Sequence, residues 1–493
     1  MESVFLGARF WVWLAIAVFV IGGVWSVLSG AVGSYWARRL LGLRVFGGAR
    51  WASRGDLRRA GLTTAGGLFL GRSGFTDIYH TGEGHLFTLG GTGGGKSAGL
   101  VVPTLCTLTE GSVVVTDPSG ELAAMTARRR AEIGPVVFLN PFAATFAQGG
   151  IDFRDDGFNP FSALDPASPN FISDTQKLAQ LLMVTDRRES GSYWNDEGAE
   201  FLALMIAKIR LYDHPDLHNL AFLHGVVRDD VENVKTVLAS IQQEGHPALI
   251  DEAGRFLQLA EIKPQWFGVA SKVALATKRY APSTPLGEHT KKDGLDLRRL
   301  KTEKLTVYVL VPSSMLSVAL PWLNLLVGLF SLAVGRPGPA RPVTMLIDEA
   351  PSLGYIPDLR STMAQNRKAG LRVWLFTQTY AALAAPELYG HEGVKEILGL
   401  SAVKQFFAVD EPEVQKLVAD LAGQRSVSNP SSSGNMGDVG QPLIRPDEVR
   451  GLRRWRQIII RGGMQFPIKA RLVPYFTRRA WASMVDPNPY RSE

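Results

Sequence analysis

Of the 493 residues only one, Cys106, is a cysteine. No intrachain disulfide and no cysteine-rich metal site can therefore form, and most of the chain belongs in a reducing compartment. Charge is sparse as well: 20% of residues are charged against 46% apolar, a balance that excludes wholesale disorder. Lys plus Arg (53) exceed Asp plus Glu (46) by only seven, a modest pointer to an anionic partner. Histidine is scarce too; the one i, i+4 pair, His214 and His218, is split by Pro215 and lacks a third ligand, so surface histidines are expected. No internal repeat is present. At roughly 100–200 residues per domain, the length allows two to four domains.

The longest charge-free stretch near the start, residues 10–36, reads FWVWLAIAVFVIGGVWSVLSGAVGSYW. As a helix rising about 1.5 Å per residue it would cross a ~30 Å hydrocarbon layer even when tilted. Trp11, Trp13, Tyr35 and Trp36 lie near its ends, where amphipathic rings favour the interface. Arg38, Arg39, Arg44, Arg50 and Arg54 follow it, which predicts a transmembrane anchor with the C-terminal bulk in the cytoplasm. A second uncharged run, residues 305–335, reads instead as soluble core: a β-branched strand (LTVYVLV), a Pro-Ser-Ser break, then an apolar helix containing Pro321 and Asn324.

The expected divisions are an anchor (1–36), a basic juxtamembrane linker (37–60), an α/β domain in two parts (61–164 and 265–493) and an all-helical insertion (165–264). Apolar strands at 86–89, 112–116, 135–139, 305–311, 343–347, 371–376 and 402–409 alternate with helical segments, the pattern of a parallel α/β sheet. Between 165 and 264 strand signal gives way to helical periodicity. Residues 426–440, SVSNPSSSGNMGDVG, are too polar to pack and predict a mobile loop.

The strongest local signal is GGTGGGKS: Gly90, Gly91, Thr92, Gly93, Gly94, Gly95, Lys96 and Ser97. It fits the phosphate-binding loop after a strand, where glycines let backbone N–H groups curl around phosphate oxygens. Lys96 would reach the β- and γ-phosphates of ATP, and the Ser97 hydroxyl would hold Mg²⁺. In MLIDEA, residues 345–350, two acids emerge from a buried strand. Asp348 suits the Mg²⁺ shell and Glu349 the polarisation of an attacking water. Gln378 ends the following strand and could sense the γ-phosphate or water. Asp117 and Glu121 either border the nucleotide or cap the next helix. Arg445, Arg450, Arg453, Arg454, Arg456 and Arg461, interrupted by Trp455, form either a phosphate-binding stripe or a solvated face.

Taken together, GGTGGGKSAGLVVPTL, GSVVVTDPSGEL, two NPF triplets, LIDEAPSLGYIPDL, LFTQTYAAL, YGHEGVKEILGLSAVKQFFAVDEP and LIRPDEVRGL stand in the order of a known family. The chain resembles the type IV secretion coupling proteins, membrane-anchored ATPases of conjugative DNA transfer, over nearly its whole length. The resemblance implies a RecA-like P-loop NTPase domain interrupted by a helical domain, and a ring, usually a homo-hexamer. It further implies a relaxase-bound single DNA strand as substrate, secretion-channel components as partners, and placement in the bacterial inner membrane. It also implies that Arg367 is a candidate arginine finger acting across a subunit boundary, with Arg360, Lys368 and Arg372 as competitors close in sequence; the alternative is that Arg367 simply covers the exposed end of a helix. Ser119 stands where the family commonly has a lysine (DPKGE), one span is found where many members have two, and a basic region stands near the end where some carry an acidic tail. Two rivals to the coupling ATPase are a duplex-DNA translocase and an effector-protein receptor that uses ATP as a switch.

Overall fold

The computed structural model describes residues 47–183, 193–336, 338, 341–357, 359–430 and 436–490, with positions 17, 20 and 21. The anchor expected at 10–36 lies outside the described residues, those three positions apart.

Seven strands form the parallel centre: β3 (His85–Gly90), β4 (Ser112–Asp117), β5 (Val136–Leu139), β6 (Thr306–Leu310), β7 (Val343–Ile347), β8 (Leu371–Thr377) and β9 (Ser401–Phe407). Their order is β5-β6-β4-β7-β8-β3-β9, every pair parallel. Valine, leucine and aromatic residues fill them because helices cover both faces. The carboxyl ends align in register, Leu89 beside Thr377 and Ile347 beside both Leu375 and Thr116.

Beyond β9 the sheet turns antiparallel through β12 (Arg456–Arg461), β13 (Ile468–Arg471), β1 (Leu68–Ser73) and β2 (Thr76–His80). The sequence reading did not find these four strands. Arginines and glycines in and beside them mask their short apolar cores. A buried polar chain ties this arm to the parallel sheet. The Trp374 indole donates to Thr88 Oγ1 (2.8 Å), Thr88 donates to Gln405 Oε1 (3.1 Å), and Gln405 donates to Gln457 Oε1 (2.9 Å). Both glutamines also donate to the Leu70 carbonyl. Gly71, at φ +123° on a register shift in β1, has no room for a Cβ, which would lie 2.4 Å from Gln457 Nε2.

The principal helices, in chain order, are α1 (Ser97–Thr107), α2 (Glu121–Ile133), α3 (Phe171–Met183), α4 (Tyr193–Tyr212), α5 (Leu220–Val227), α6 (Val231–Glu244), α7 (Pro247–Glu261), α8 (Lys263–Thr277), α9 (Leu316–Gly335), α10 (Leu359–Asn366), α11 (Gly390–Leu400) and α12 (Pro412–Ala422). The helical insertion runs past the expected limit at 264. Helix α8 packs on α4, with Trp266 edge-on to Phe201 at 5.2 Å, and short helices continue to Thr302. Pro264 stands in the first turn of α8, where proline starts a helix.

Near the two ends of this insertion one carboxylate joins distant parts of the chain. Asp155 accepts from the Asn140 amide, from buried His289 (2.7 Å) and from Lys292 (3.0 Å). Burial pushes its carboxyl up, but these partners hold it down at about 2. Among the described residues, 313–335 is the one helical run long and apolar enough to cross a membrane; 72% of its most apolar 18 residues are buried inside the protein, as expected of a core helix. The polar run at 426–440 is not a loop throughout: β10 (Gln424–Pro430) pairs antiparallel with β11 (Met436–Pro442).

Candidate nucleotide site

Because β3, β8, β7 and β4 are parallel neighbours, whatever follows each strand emerges at one edge. The glycine loop leaves β3, Gln378 leaves β8, Asp348 and Glu349 leave β7, and Asp117 closes β4. Strand order therefore places Gln378 between the loop and the acids. Its amide bridges them: Thr92 Oγ1 donates to Gln378 Oε1 (2.5 Å), and Gln378 Nε2 donates to Glu349 Oε2 (2.6 Å). Lys96 Nζ donates to the Gly90 carbonyl (2.8 Å), and Ser97 opens α1 directly after it.

The electrostatics follow from crowding. Desolvation pushes the Asp348 carboxyl up to about 7, with Asp117, Glu349 and Glu121 adding to the rise and Lys96 opposing it. Burial lowers the Lys96 ammonium, with Glu349 and Asp348 pulling the other way. Glu349 is left-handed at φ 57°, ψ 60°, a costly backbone for a non-glycine residue.

Asp117 is a capping residue: 1% exposed, it accepts from the Ala123 amide (2.8 Å) and from Ser119 Oγ (3.0 Å). Ser119 in turn accepts from the Glu121 amide, so the residue in the family lysine's place joins a helix start.

Sequence reasoning missed Trp455. Its ring lies against the phosphate loop: a Cβ on Gly95 (φ +91°) would sit 2.1 Å from Trp455 Cζ3. Arg454 lies over the same ring at 5.0 Å, and Trp455 is itself left-handed at φ 66°. The aromatic amid arginines was visible; its partner was not. The arginine band is not one stripe: Arg445 caps a short helix, Arg453 and Arg456 line a separate cavity, and Arg461 ends β12 at the opposite edge.

Arg367 is not brought to this cluster. It lies exposed in the turn before β8, at the sheet's amino edge, seven strand residues from the Thr377 end. At about 3.3 Å per residue it is over 20 Å from its own phosphate loop. Arg360 pairs with Glu396 and Arg372 is buried, whereas Lys368 is exposed. His214 caps a turn and His218 bonds Arg210 and the Asp213 carbonyl; no cluster of three metal-ligating side chains occurs among the described residues.

Residues 50–491 match the family described as type IV secretory system conjugative DNA transfer. The chain belongs to that family. Among its relatives, the conjugal transfer protein TraG of Escherichia coli is 24% identical over 460 residues, covering 82% of this chain and 70% of TraG. The protein VirD4 of Agrobacterium fabrum is 25% identical, covering 88% and 66%. The chain thus spans about two thirds of the length of such relatives. Among solved structures, the bacterial conjugative coupling protein TrwB lacking its N-terminus superposes with a TM-score of 0.63 at 19% identity, covering 87% of this chain and 95% of that one. The coupling-protein resemblance and the P-loop α/β fold read from the motifs are therefore correct. TrwB has been solved with a non-hydrolysable ATP analogue and with ADP and Mg²⁺.

Proposed function

We propose that this chain is a coupling ATPase of the bacterial inner membrane, which recruits a relaxase-bound single DNA strand to a type IV secretion channel and drives its transfer as a homo-hexameric ring. The observation that carries the reading is the Thr92–Gln378–Glu349 hydrogen-bond chain beside Lys96. It gives the phosphate loop a direct connection to a carboxylate suited to activating water.

Mg²⁺ fits the site: Ser97 and Asp348 offer a hydroxyl and a carboxylate, hard oxygen donors, and a cation would draw Asp348 back to its charged form. Bound Mg·ATP would supply the phosphoryl group and the metal charge that catalysis needs. Gly91 and Gly94 already donate their amides to the Ala408 and Gly91 carbonyls, so other amides of the loop would cradle phosphate oxygens, and Lys96 would leave the Gly90 carbonyl to neutralise them. Glu349 accepts the proton of the attacking water, and Gln378 orients both that water and Glu349. Asp348 would be held ionised beside such a cation. Arg367, too far to serve its own loop, stabilises charge in the pocket of the neighbouring subunit. The helical insertion receives the substrate, and residues 10–36 anchor the ring.

The deciding experiment is ATP hydrolysis by the chain lacking residues 1–36, measured with single-stranded DNA, duplex DNA or neither. Stimulation by single strands supports the proposal. Stimulation by duplex alone points to a duplex translocase, and indifference to both points to an effector receptor.

A further inference from the structure

On the outer face of the antiparallel arm, like charges are set side by side. Arg456 of β12 is the direct cross-strand partner of Arg471 of β13, and Arg471 is the partner of Arg72 of β1. Like charges directly opposite one another destabilise a sheet. Only Arg72 is relieved, by Asp77 at 2.7 Å. Arg453, Arg456, Lys469 and Arg471 are exposed and have no ion-pair partner among the described residues. Three of them, Arg453, Arg456 and Lys469, line a cavity of about 410 Å³ that Trp51 also lines. Lys469 Nζ is 5.6 Å from the centre of the Trp51 ring. The carboxylate in the lining, Glu448, is taken by the Arg445 amide at 2.8 Å.

The position of this patch narrows its partner. Trp51 stands 15 residues after the apolar run ends at Trp36, and the chain is fastened here by the Ala52 amide to the Pro467 carbonyl (2.8 Å). Fifteen residues span at most about 50 Å, so any membrane holding that run keeps its headgroups within constant reach of the patch. The intervening segment of the sequence also carries Arg38, Arg39 and Arg44. Basic side chains around an amphipathic indole beside a span are what anionic headgroups attract.

We infer that Trp51, Arg453, Arg456, Lys469 and Arg471 form a docking surface for anionic phospholipid headgroups, which holds the antiparallel arm against the membrane. The inference rests on the anchor reading of residues 10–36.

The test is native mass spectrometry of the detergent-solubilised full chain, titrated with phosphatidylglycerol or phosphatidylcholine. The wild type retains phosphatidylglycerol in preference. At about 1 kcal/mol per basic residue, roughly fivefold each, Lys469→Gln with Arg471→Gln lowers that affinity about 25-fold. The thermal midpoint of the lipid-free variant does not fall, because a repulsive pair has been removed. Equal phosphatidylglycerol retention by variant and wild type overturns the inference. So does a variant that loses affinity for a labelled single-stranded oligonucleotide while keeping its lipid, since the surface then serves nucleic acid. Recovery of the full chain in the soluble fraction of cells, without detergent, overturns the anchor reading separately.

Discussion

Glu349 carries the proposed chemistry on a backbone that glutamate disfavours, and this makes function and stability separable by substitution. At φ 57° and ψ 60° its Cβ crowds its own carbonyl oxygen, at a cost of roughly 1–2 kcal/mol that glycine escapes. Glycine in turn gives the unfolded chain about 0.4–1 kcal/mol of extra freedom. Glu349→Ala and Glu349→Gly both lose the carboxylate and its 2.6 Å hydrogen bond from Gln378, so the difference between them isolates the backbone. Glu349→Gly should therefore be more stable than Glu349→Ala by about 1 kcal/mol, the net of those two terms. Glu349→Asn should fall between them, because asparagine tolerates the left-handed region. All three should lose hydrolysis by about 10²–10⁴-fold if Glu349 is the base. The assay is the thermal midpoint of the nucleotide-free protein, paired with phosphate release. An alanine variant as stable as the glycine variant would show that the left-handed turn stores no strain. Residual turnover above a tenth of wild type would remove Glu349 from the role of base.

Further outcomes follow from the same geometry. Lys96→Ala should weaken nucleotide binding and abolish turnover, whereas Glu349→Gln and Gln378→Ala should keep nucleotide and lose hydrolysis; equilibrium binding of a fluorescent ATP analogue separates the two classes. Arg367→Ala should bind ATP normally yet lose most DNA-stimulated hydrolysis, and mixing it with Lys96→Ala should restore part of it; silence in mixed oligomers shown to form would refute a role in trans. Asp117 and Asp348, pushed up to about 6 and about 7, favour folding in their protonated forms, so their contribution is full below the unfolded value near 4 and is lost as pH rises through 6 to 7. His80, held down at about 4 by burial, works in the opposite direction below 6.5. The nucleotide-free midpoint should therefore fall between about pH 4 and 7, two raised carboxyls outweighing His80 below 6.5, and Asp117→Asn should flatten that fall between about pH 4 and 6.

The parallel half of the fold was legible because its strands are continuous apolar runs, each ending in glycine or polar residues. The phosphate loop and the Asp348–Glu349 pair were legible for the same reason: both stand where such a run stops. The antiparallel arm was not, because RQIIIR and IKAR carry their apolar residues between arginines and resemble a charged surface. Gln378 could be suspected from its place at a strand end, but its bridge between Thr92 and Glu349 depends on β8 lying between β3 and β7, an order that no local pattern encodes. Trp455 was hidden more completely, since its contact with Gly95 joins residues 360 positions apart. The helical insertion continues beyond 264, through α8 and short helices to Thr302, where helical periodicity runs on without a break in composition.

The chain of hydrogen bonds from Trp374 through Thr88 and Gln405 to Gln457 crosses from β8 to β12 inside the sheet and contacts β1 at the Leu70 carbonyl. Each link is matched donor to acceptor, so a slip of any of these strands by one residue would strand buried amides in hydrocarbon. The parallel sheet that carries the phosphate loop and the arm that carries Trp455 are thus keyed to one another like the wards of a lock, and only one alignment turns. Apolar contacts alone would tolerate neighbouring registers of similar energy. For a tryptophan that must meet one particular glycine of the phosphate loop, that intolerance of error is what keeps the two halves in step.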